Sequence, residues 1–423
     1  MPAGSLRYGP AILAGRLTRF AARLRKPGGG SAVPGLVVNR LAPGYLKRTL
    51  SGFPQGLVVV SGSSGKSTTT KMLVAILRAH GVDVFTNPST ANISQGLTSA
   101  LLERADWLGR VPGEMAVLEM DEGHGALVMQ GVDARTVTLM NVMVDQVDRF
   151  HDSEMVAGML ARIASRAQGS VVVNADDAYL QQLAARVGAD VAVERFGVSE
   201  AVVAAAPRGL GYAKTADERL SAGDGVRLES VDGRSAVIDD HGTAVAVTLP
   251  ARGTHYGVDA TAAYATARSV LGERFDVAVA AAALSAIPAV FGRGERVQVR
   301  GQEVDFVLVQ NTASYQLNVD SIEPGTSDIL FAIGSDVRDP SYFWPADASS
   351  LGRVSIVSGS KAAEAALMLA YDGVEIDRVE PDLARAVDEF LAGPAPASGT
   401  KTIVFSADSM RRTRAHLGLT GAE

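Results

Sequence analysis

The sequence predicts an α/β protein with a mostly parallel sheet, followed by a smaller, doubly wound α/β domain. Strand patterns alternate with helical patterns in the first half of the chain, which is the order typical of βαβ units. The same alternation begins again near residue 300. A third observation is the stretch "VVVSGSSGKSTTTKM", residues 58–72, where a β-branched run, a loop of small residues and a helical pattern follow one another.

The first half contains short apolar strands separated by helical segments. Strands are predicted at residues 83–87, 115–120, 135–142 and 170–177, and helices at residues 94–104 and 156–167. Residues 195–250 are rich in glycine, aspartate and serine, with short alternating runs. They predict a small β insertion in the first domain.

The second half predicts a sheet with a polar rim. Asn311, Asp336, Ser358 and Ser406 each follow a predicted strand. Ligands of doubly wound sheets lie at the carboxyl ends of the strands, so we expect these side chains to mark the binding edge. The predicted divisions are a basic segment at 1–50 packed on or preceding the first domain, a central domain at 51–298, and a C-terminal α/β domain at 299–423.

Composition limits the chemistry that the chain can perform alone. The 423 residues are 47% hydrophobic and include no cysteine, which excludes disulfides, thiolate zinc ligands and cysteine nucleophiles. The net charge of −6 is uneven, because no acidic residue precedes Asp83. Residues 1–82 carry 12 Lys and Arg, and the remainder has 28 basic against 46 acidic residues.

The basic segment includes a predicted amphipathic helix. Leu13, Leu17, Phe20 and Leu24 share one face, with arginines around it. One interpretation is attraction to anionic lipid or to a phosphorylated lipid substrate. The other, which the pattern alone favours, is that the apolar stripe packs on the protein core.

The loop in "VVVSGSSGKSTTTKM" predicts a nucleotide phosphate site. It has the short form G-x-x-G-K-S, since Val60 occupies the place of the first glycine of the longer form. Backbone N–H groups at the start of a helix bind phosphate, a lysine adds charge, and a serine hydroxyl can hold Mg²⁺. The predicted cofactor-binding residues of the loop are Gly62, Ser63, Ser64, Gly65, Lys66, Ser67 and Thr68.

Carboxylates and amides follow the later strands of the first half. Glu119 ends one predicted strand, and we expect it to hold Mg²⁺ together with Ser67. Asn141 follows the next strand and is placed near the nucleotide. Asp176 and Asp177 follow a further strand, where they could equally cap the next helix.

An arginine pair follows the last helices of the first domain. The segment "FGRGER" offers Arg293 and Arg296, which could clamp phosphate in a bidentate manner or pair with Glu295. We place Arg293 among the nucleotide-binding candidates.

Taken together, these segments resemble the Mur ligases, and among them the MurT family. The resemblance covers nearly the whole chain and is carried by "SGSSGKSTTTKML", "TNPSTANISQGL", "LEMDE", "NVMVDQVDRF", "VVNADD", "FGRGER", "VLVQNTASYQLNV" and "AIGSDVRDPSYFW". It implies a Mur ligase-type P-loop ATPase domain that uses ATP and Mg²⁺. The implied chemistry is phosphorylation of a carboxylate, followed by attack of an amine on the acyl phosphate.

The resemblance also implies a partner and a substrate. A MurT-like subunit receives ammonia from a GatD-like glutaminase and amidates the D-glutamate of lipid II in peptidoglycan synthesis. Asp339 would complete the catalytic triad of the partner, and Lys66 and Glu119 would act in phosphoryl transfer. The implied location is cytoplasmic, with contact at the inner face of the membrane left open, and no nucleic acid is expected as a partner.

The chain departs from the family pattern in four places. No cysteines are available for the zinc ribbon that MurT proteins commonly carry, so no zinc is predicted. Gln310 replaces a family lysine, Asp259 replaces an asparagine near the adenine, and Pro345 replaces an aspartate. Two alternatives therefore stay open: another Mur-type ligase that joins an amino acid or peptide, and a homologue that binds nucleotide without turnover.

Overall fold

A computed structural model of the protein describes residues 6–25, 32–88, 91, 93–143, 152–206, 208–289, 293–309, 311–323, 325–337, 344–394, 396 and 399–419. Within these ranges two sheets carry the fold. The mixed α/β architecture that the sequence predicts is confirmed.

The first sheet is built around the strand that precedes the phosphate loop. Its described strands are β1 (Leu57–Ser61), β2 (Val84–Thr86), β3 (Met115–Glu119), β4 (Ala134–Leu139), β5 (Ala167–Asn174), β6 (Ala192–Val198), β7 (Val226–Asp232), β8 (Ser235–Asp240) and β9 (Thr243–Thr248). Their order is β2-β3-β1-β4-β5-β6-β7-β8-β9. Because β1 lies between β3 and β4, the residues that follow these three strands meet at one edge of the sheet.

Helices cover both faces of this sheet. They are α1 (Gly9–Arg25), α2 (Val33–Leu41), α3 (Tyr45–Leu50), α4 (Lys66–Ala79), α5 (Ser94–Arg104), α6 (Glu122–Val128), α7 (Ser153–Ala164), α8 (Ala178–Ala184), α9 (Glu200–Ala204), α10 (Thr254–Leu271) and α11 (Val277–Ser285). Helices α4, α10 and α11 pack together on one face, and α1, α2 and α5 pack together elsewhere. Strand β1 is buried throughout, so its apolar run contacts helices on both sides.

Residues 195–250 do not form a separate unit within this domain. β6 pairs in parallel with β7, and β7, β8 and β9 then continue the same sheet as an antiparallel meander. The turn between β8 and β9 consists of His241 and Gly242, both with positive φ, which suits a two-residue hairpin. The alternating runs predicted these strands correctly. They did not predict that the strands extend the edge of the first sheet.

The second sheet begins at residue 293. Its described strands are β10 (Arg293–Val299), β11 (Gln302–Leu308), β12 (Ile329–Ala332), β13 (Arg353–Ser358), β14 (Glu375–Glu380) and β15 (Lys401–Phe405). They lie in the order β10-β11-β15-β12-β13-β14, with only the β10–β11 pair antiparallel among them. The helices are α12 (Thr312–Ser321), α13 (Ala362–Tyr371), α14 (Leu383–Ala392) and α15 (Ala407–His416). The domain limits at residues 50 and 298 stay predictions.

Helix α1 exposes the stripe that the sequence favoured as core. Leu13, Leu17, Phe20 and Leu24 are between 48% and 74% exposed. The opposite side of the helix is the buried one, with Ile12 fully enclosed. The expectation was wrong because α1 has apolar residues on two faces, and the narrower one, with smaller side chains, meets the core. No helix within the described ranges has the length and apolar character that crossing a membrane requires.

Candidate functional site

The phosphate loop joins β1 to α4 through two glycines in left-handed conformations. Gly62 has φ +139° and Gly65 has φ +83°. A Cβ on Gly62 would lie 2.9 Å from the Cβ of Met140, and one on Gly65 would lie 2.2 Å from Oδ1 of Asp259. Both backbone conformation and lack of space therefore require glycine here. Asp259, predicted near the nucleotide, is 95% buried beside this loop.

Asn141 fixes the shape of the loop. Its Oδ1 accepts a hydrogen bond from Ser64 N at 2.9 Å, and its Nδ2 donates to Ser64 O at 3.2 Å. Ser63 N donates to the carbonyl oxygen of Asn141 at 3.0 Å, and Met143 N donates to Ser63 Oγ at 3.1 Å. The segment after β4 thus holds the loop open for a ligand, and the Asn141 amide positions the loop.

Lys66 is the first residue of α4, and its side chain folds back over the loop. Its Nζ donates to the carbonyl oxygens of Gly62 and Ser63, the latter at 3.1 Å. The same nitrogen lies 3.7 Å from Oε2 of Glu122, which is 98% buried. Backbone oxygens and a buried carboxylate therefore keep the ammonium charge at the mouth of the loop.

Of the carboxylates in "LEMDE" that could hold Mg²⁺, only Glu119 was predicted as a site residue, and Glu122 was not. It begins α6, directly after Asp121, whose side chain caps the helix by accepting from Gly123 N and His124 N. The signal was present in "LEMDE", where Glu122 follows Glu119 by three residues. It was missed because an acidic residue in the first turn of a helix is common for electrostatic reasons alone.

Glu119 and Ser67 lie at the same edge of the sheet. Glu119 is paired in register with Val60, immediately before the loop, and is 96% buried. Asn87, which was not predicted, fixes its backbone. Glu119 N donates to Asn87 Oδ1 at 3.0 Å, and Asn87 Nδ2 donates to Glu119 O at 3.1 Å. Ser67 lies buried in the first turn of α4.

These residues fit Mg²⁺ as a nucleotide-borne ion. No cluster of three or more His, Cys, Asp or Glu suited to a metal occurs within the described residues. Mg²⁺ does not need one, because it usually takes one or two protein oxygens and completes its shell with water and phosphate oxygens. The buried carboxylate of Glu119 and the hydroxyl of Ser67 are donors of that kind.

Two aspartates after β5 are buried and resist ionisation. Asp177 caps α8 and accepts from Val142 N at 2.6 Å. Asp176 accepts from Val198 N at 2.8 Å, while its Oδ1 has no hydrogen-bond partner within the described residues. Burial raises the pKa of each carboxyl to about 6. Each carboxyl accepts a backbone hydrogen bond at the edge of the sheet, and the capping role expected for this pair holds for Asp177.

A loop at residues 208–216 brings the second sheet to this edge. Its residue Ala213 donates from its backbone N–H to Val142 O at 2.9 Å. Gly211 faces Ala313 near the start of α12, where an added Cβ would lie 2.7 Å from the Cβ of Ala313. Arg208 pairs with Asp320 at 2.7 Å and with Asp347 at 2.6 Å. The carboxyl edge of the first sheet thus faces the beginning of α12.

The polar rim of the second sheet is largely closed on itself. Ser406 Oγ donates to Oδ1 of Asp336 at 2.7 Å and accepts from Gly334 N at 2.8 Å. Asn311 caps α12 in a capping box with Ser314. Ser358 is fully buried. These residues lie at the predicted edge. The hydrogen bonds of Ser406, Asp336 and Asn311 serve the fold, whereas Ser358 Oγ has no hydrogen-bond partner within the described residues.

Several predicted residues lie outside the described part of the chain. Asp339 and Gln310 lie outside it entirely. The backbone of Arg293 belongs to β10, but its side chain lies outside the described part. Arg296 pairs with Asp305 through Nε at 2.7 Å, and Glu295 pairs with Arg414 at 2.8 Å. Arg296 therefore contacts neither Glu295 nor the phosphate loop through these bonds. The nucleotide-binding role of Arg293 and the triad role of Asp339 stay predictions.

Comparisons with known proteins agree with this geometry. Residues 60–267 match the family model of the Mur ligase middle domain. The MurT subunit of the glutamine-hydrolysing lipid II isoglutaminyl synthase of Staphylococcus aureus (strain COL) is 28% identical over 178 residues, which is 42% of this chain and 39% of that protein. The MurT subunit from Streptococcus pneumoniae (strain ATCC BAA-255 / R6) is 32% identical over 167 residues, 39% of this chain and 36% of that protein.

Solved structures give the same result for the fold. The structure of MurF from Acinetobacter baumannii is similar with a TM-score of 0.66, covering 90% of this chain and 80% of that chain at 18% identity. The chain spans less than two fifths of the length of the two curated relatives that it matches. The matched region contains the phosphate loop, Glu119, Asn141 and Asp259. Residues 60–267 are therefore similar to the Mur ligase middle domain, and the fold of the chain is that of the Mur ligases.

Proposed function

We propose that the protein is an ATP-dependent carbon–nitrogen ligase that activates a carboxylate as an acyl phosphate. The phosphate loop carries this proposal. Its two glycines leave no space for a side chain, its lysine is held at the loop mouth, and buried carboxylates lie beside it. Backbone N–H groups at the N-terminus of α4 and the Lys66 ammonium form an anion site before any ligand arrives.

The proposed reaction has two displacement steps. A carboxylate oxygen of the acceptor attacks the γ-phosphorus of ATP, and ADP leaves with the electron pair of the broken P–O bond. Nitrogen then attacks the carbonyl carbon of the acyl phosphate and loses a proton, and inorganic phosphate leaves. Phosphorylation is needed because hydroxide is a poor leaving group from a carboxylate.

Residues of the chain stabilise charge in the first step. Lys66 and the N–H groups of the first turn of α4 would face the negative charge that spreads over the transferred phosphoryl group. Ser67 and Glu119 would hold Mg²⁺, which neutralises phosphate charge when bound. Asn141 fixes the shape of the loop, since it accepts from Ser64 N and donates to Ser64 O.

The finer proposal concerns the acceptor and the nitrogen. We place the D-glutamate of lipid II as the acceptor and ammonia from a GatD-like glutaminase as the nucleophile, in the cytoplasm. The curated relatives are named as subunits of a glutamine-hydrolysing synthase. This chain has no cysteine, so a cysteine-dependent glutaminase must be another chain. Asp339 is proposed to complete its catalytic triad.

The test is ADP release by the purified protein with Mg²⁺-ATP, a high concentration of ammonium salt, and lipid II. Ammonium replaces the partner. We expect ADP release that depends on lipid II, with a product mass that shows an acid converted to an amide. Lys66→Ala is expected to abolish both. Release with an amino acid but not with ammonium would instead support an amino-acid ligase.

A second variant separates the partner from the chemistry. With a glutaminase subunit and glutamine present, Asp339→Asn is expected to stop turnover, while turnover with ammonium stays at the level of the unmodified protein. Equal activity of Asp339→Asn under both conditions would remove the triad role and leave the ligase reaction standing.

One observation favours the alternative of a homologue that binds without turnover. The carboxyl group of Asp259 lies against Gly65, so a negative charge can face the phosphates of a nucleotide there. The alternative predicts bound nucleotide but no ADP with any acceptor carboxylate. Restored ADP release in Asp259→Asn would assign the loss of turnover to this charge.

A further inference from the structure

Helix α1 is apolar on two opposite faces. One face, which includes Ala11, Ile12 and Gly15, packs into the protein. The other carries Leu13, Leu17, Phe20 and Leu24, spaced by four, three and four residues, and therefore forms one continuous stripe. Their exposed fractions are 48%, 61%, 65% and 74%, so exposure increases toward the end of the helix.

The neighbouring helix α2 packs on the buried face of α1, opposite the stripe. α2 packs closely on α1, since a Cβ on Gly15 would lie 2.5 Å from Cγ2 of Val38. α2 itself exposes Val33, Leu36 and Leu41 at 48%, 53% and 60%. Single exposed apolar side chains are ordinary on a protein surface, but the four large ones that form one continuous stripe on α1 indicate a binding surface.

The charge of this region identifies the kind of partner. No acidic residue occurs before Asp83, and 12 basic residues do, although the chain as a whole has a net charge of −6. Arg16 lies beside the stripe with its guanidinium over the ring of Trp107, 4.5 Å from the ring centre, and Trp107 is itself 70% exposed. Arg40, on α2, is also exposed. An apolar stripe, flanking cations and an aromatic ring match the pattern of helices that lie in a lipid interface.

We propose that the exposed face of α1 docks the protein on an anionic lipid bilayer. The apolar side chains would enter the boundary between headgroups and acyl chains, and the basic residues would contact lipid phosphates. Arg19 of α1 pairs with Glu103 of α5, so part of the charge beside the stripe is neutralised. A bilayer still fits better than a protein partner because the segment itself contributes basic residues and no acidic ones. Binding to lipid is independent of nucleotide and acceptor, so it holds whether or not the chain is a ligase.

The experiment is co-flotation of the full chain with vesicles. One set contains equal parts of phosphatidylglycerol and phosphatidylcholine, and the other contains phosphatidylcholine alone. We expect the protein to float with the anionic vesicles at low salt, and much less with neutral vesicles or at high salt. The double variant Leu17→Ser, Phe20→Ser should bind anionic vesicles at least about tenfold more weakly, because two exposed apolar side chains no longer enter the lipid.

A matched control is available on another helix. Leu367 and Tyr371 of α13 are 53% and 73% exposed, so Leu367→Ser, Tyr371→Ser also removes an exposed leucine and an exposed aromatic residue. This variant should bind vesicles like the unmodified protein. Circular dichroism and thermal unfolding of both variants should match the unmodified protein, because neither pair is core.

Three results would overturn the proposal. The first is no flotation with anionic vesicles. The second is flotation that the α1 variant does not weaken relative to the α13 variant. The third is a dimer of the unmodified protein, measured by light scattering, that the α1 variant converts to a monomer, which would assign this face to a second copy of the chain.

Discussion

Helices α1 and α4 have the same kind of apolar pattern, but α4 buries its apolar face and α1 exposes it. Each has four large apolar residues at helical spacing and several basic residues. In α4, Met72, Leu73, Ile76 and Leu77 are fully buried, whereas the stripe of α1 is exposed. α4 lies between β1 and β2 in the chain, so both of its ends are tied to the sheet, but α1 precedes the first strand. Periodicity therefore predicts that a helix has an apolar face. Whether that face is buried depends on how the chain connects the helix to the sheet.

The N-terminus of α4 should be the most sensitive point of this comparison. Gly65→Ala is expected to abolish ATP binding, because the added Cβ would lie 2.2 Å from Asp259 and the backbone has φ +83°. Gly81→Ala, just after α4, is the control. Its φ of +79° is nearly the same, but nothing lies within 4 Å of the added Cβ. ATP binding is measured by calorimetry. An equal loss of ATP affinity in both variants would mean that backbone strain alone causes the effect.

Replacing one leucine in each helix by alanine should change the free energy of unfolding by different amounts. Leu73→Ala in α4 should lower the free energy of unfolding by about 2–5 kcal/mol, since it leaves a cavity in the core. Leu17→Ala in α1 should change it by less than about 0.5 kcal/mol, because that side chain is mostly in solvent. Urea unfolding measures both. Similar losses for the two variants would mean that the α1 stripe is packed.

The buried aspartates near the loop should make stability depend on pH, in contrast to the acid-free segment that contains α1. Burial raises the pKa of Asp176 and Asp177 to about 6 in the folded protein, from 3.8. Their contribution is therefore fully present below about pH 4 and is lost as the pH rises through 6. For Asp176 the loss is on the order of 3 kcal/mol.

Asp176→Asn tests that contribution directly. The variant should flatten the decline of the unfolding free energy between pH 4 and pH 7, because the amide does not ionise and its oxygen can still accept from Val198 N. An unchanged pH profile in urea unfolding would show that Asp176 is not the titrating group.

The smallest expected effect concerns the charge beside α4. Asp259→Asn should tighten ATP binding by roughly threefold to tenfold, since a neutral amide of the same shape removes a negative charge near the phosphates. Calorimetric titration with ATP and with adenosine gives the comparison. Adenosine lacks phosphates, so its affinity should change much less. Weaker ATP binding would mean that the Asp259 carboxylate accepts a hydrogen bond from the nucleotide.

The parts of the fold that the sequence predicted are those set by local pattern. The helix predicted at 94–104 is α5, and the strand at 115–120 is β3 to within one residue. The loop from Gly62 to Gly65 could be located because its glycines are needed by local geometry. The position of β7 to β9 at the edge of the first sheet could not be located in this way. It depends on the pairing of β7 with β6, which the local turns between these strands do not specify.

The candidate site divides in the same way. Glu119 and Asn141 were predicted because each follows a buried strand, and strand order brings them to the loop. Glu122 and Asn87 were missed because their importance comes from contacts across the edge, with Lys66 and with the backbone of Glu119. The outward orientation of the α1 stripe was one of two open interpretations. It was not the favoured one, because the buried side of the helix has small residues that a hydrophobic pattern weights lightly.

The most direct test of the central claim follows an oxygen atom. The acceptor, lipid II, is labelled with oxygen-18 in the D-glutamate carboxylate and incubated with Mg²⁺-ATP, ammonium and the protein. If the carboxylate attacks the γ-phosphorus, each amide formed releases phosphate with one labelled oxygen. Mass spectrometry of the phosphate should therefore show label in proportion to amide. Amide formation with unlabelled phosphate would contradict activation through an acyl phosphate, and with it the proposed role of the phosphate loop.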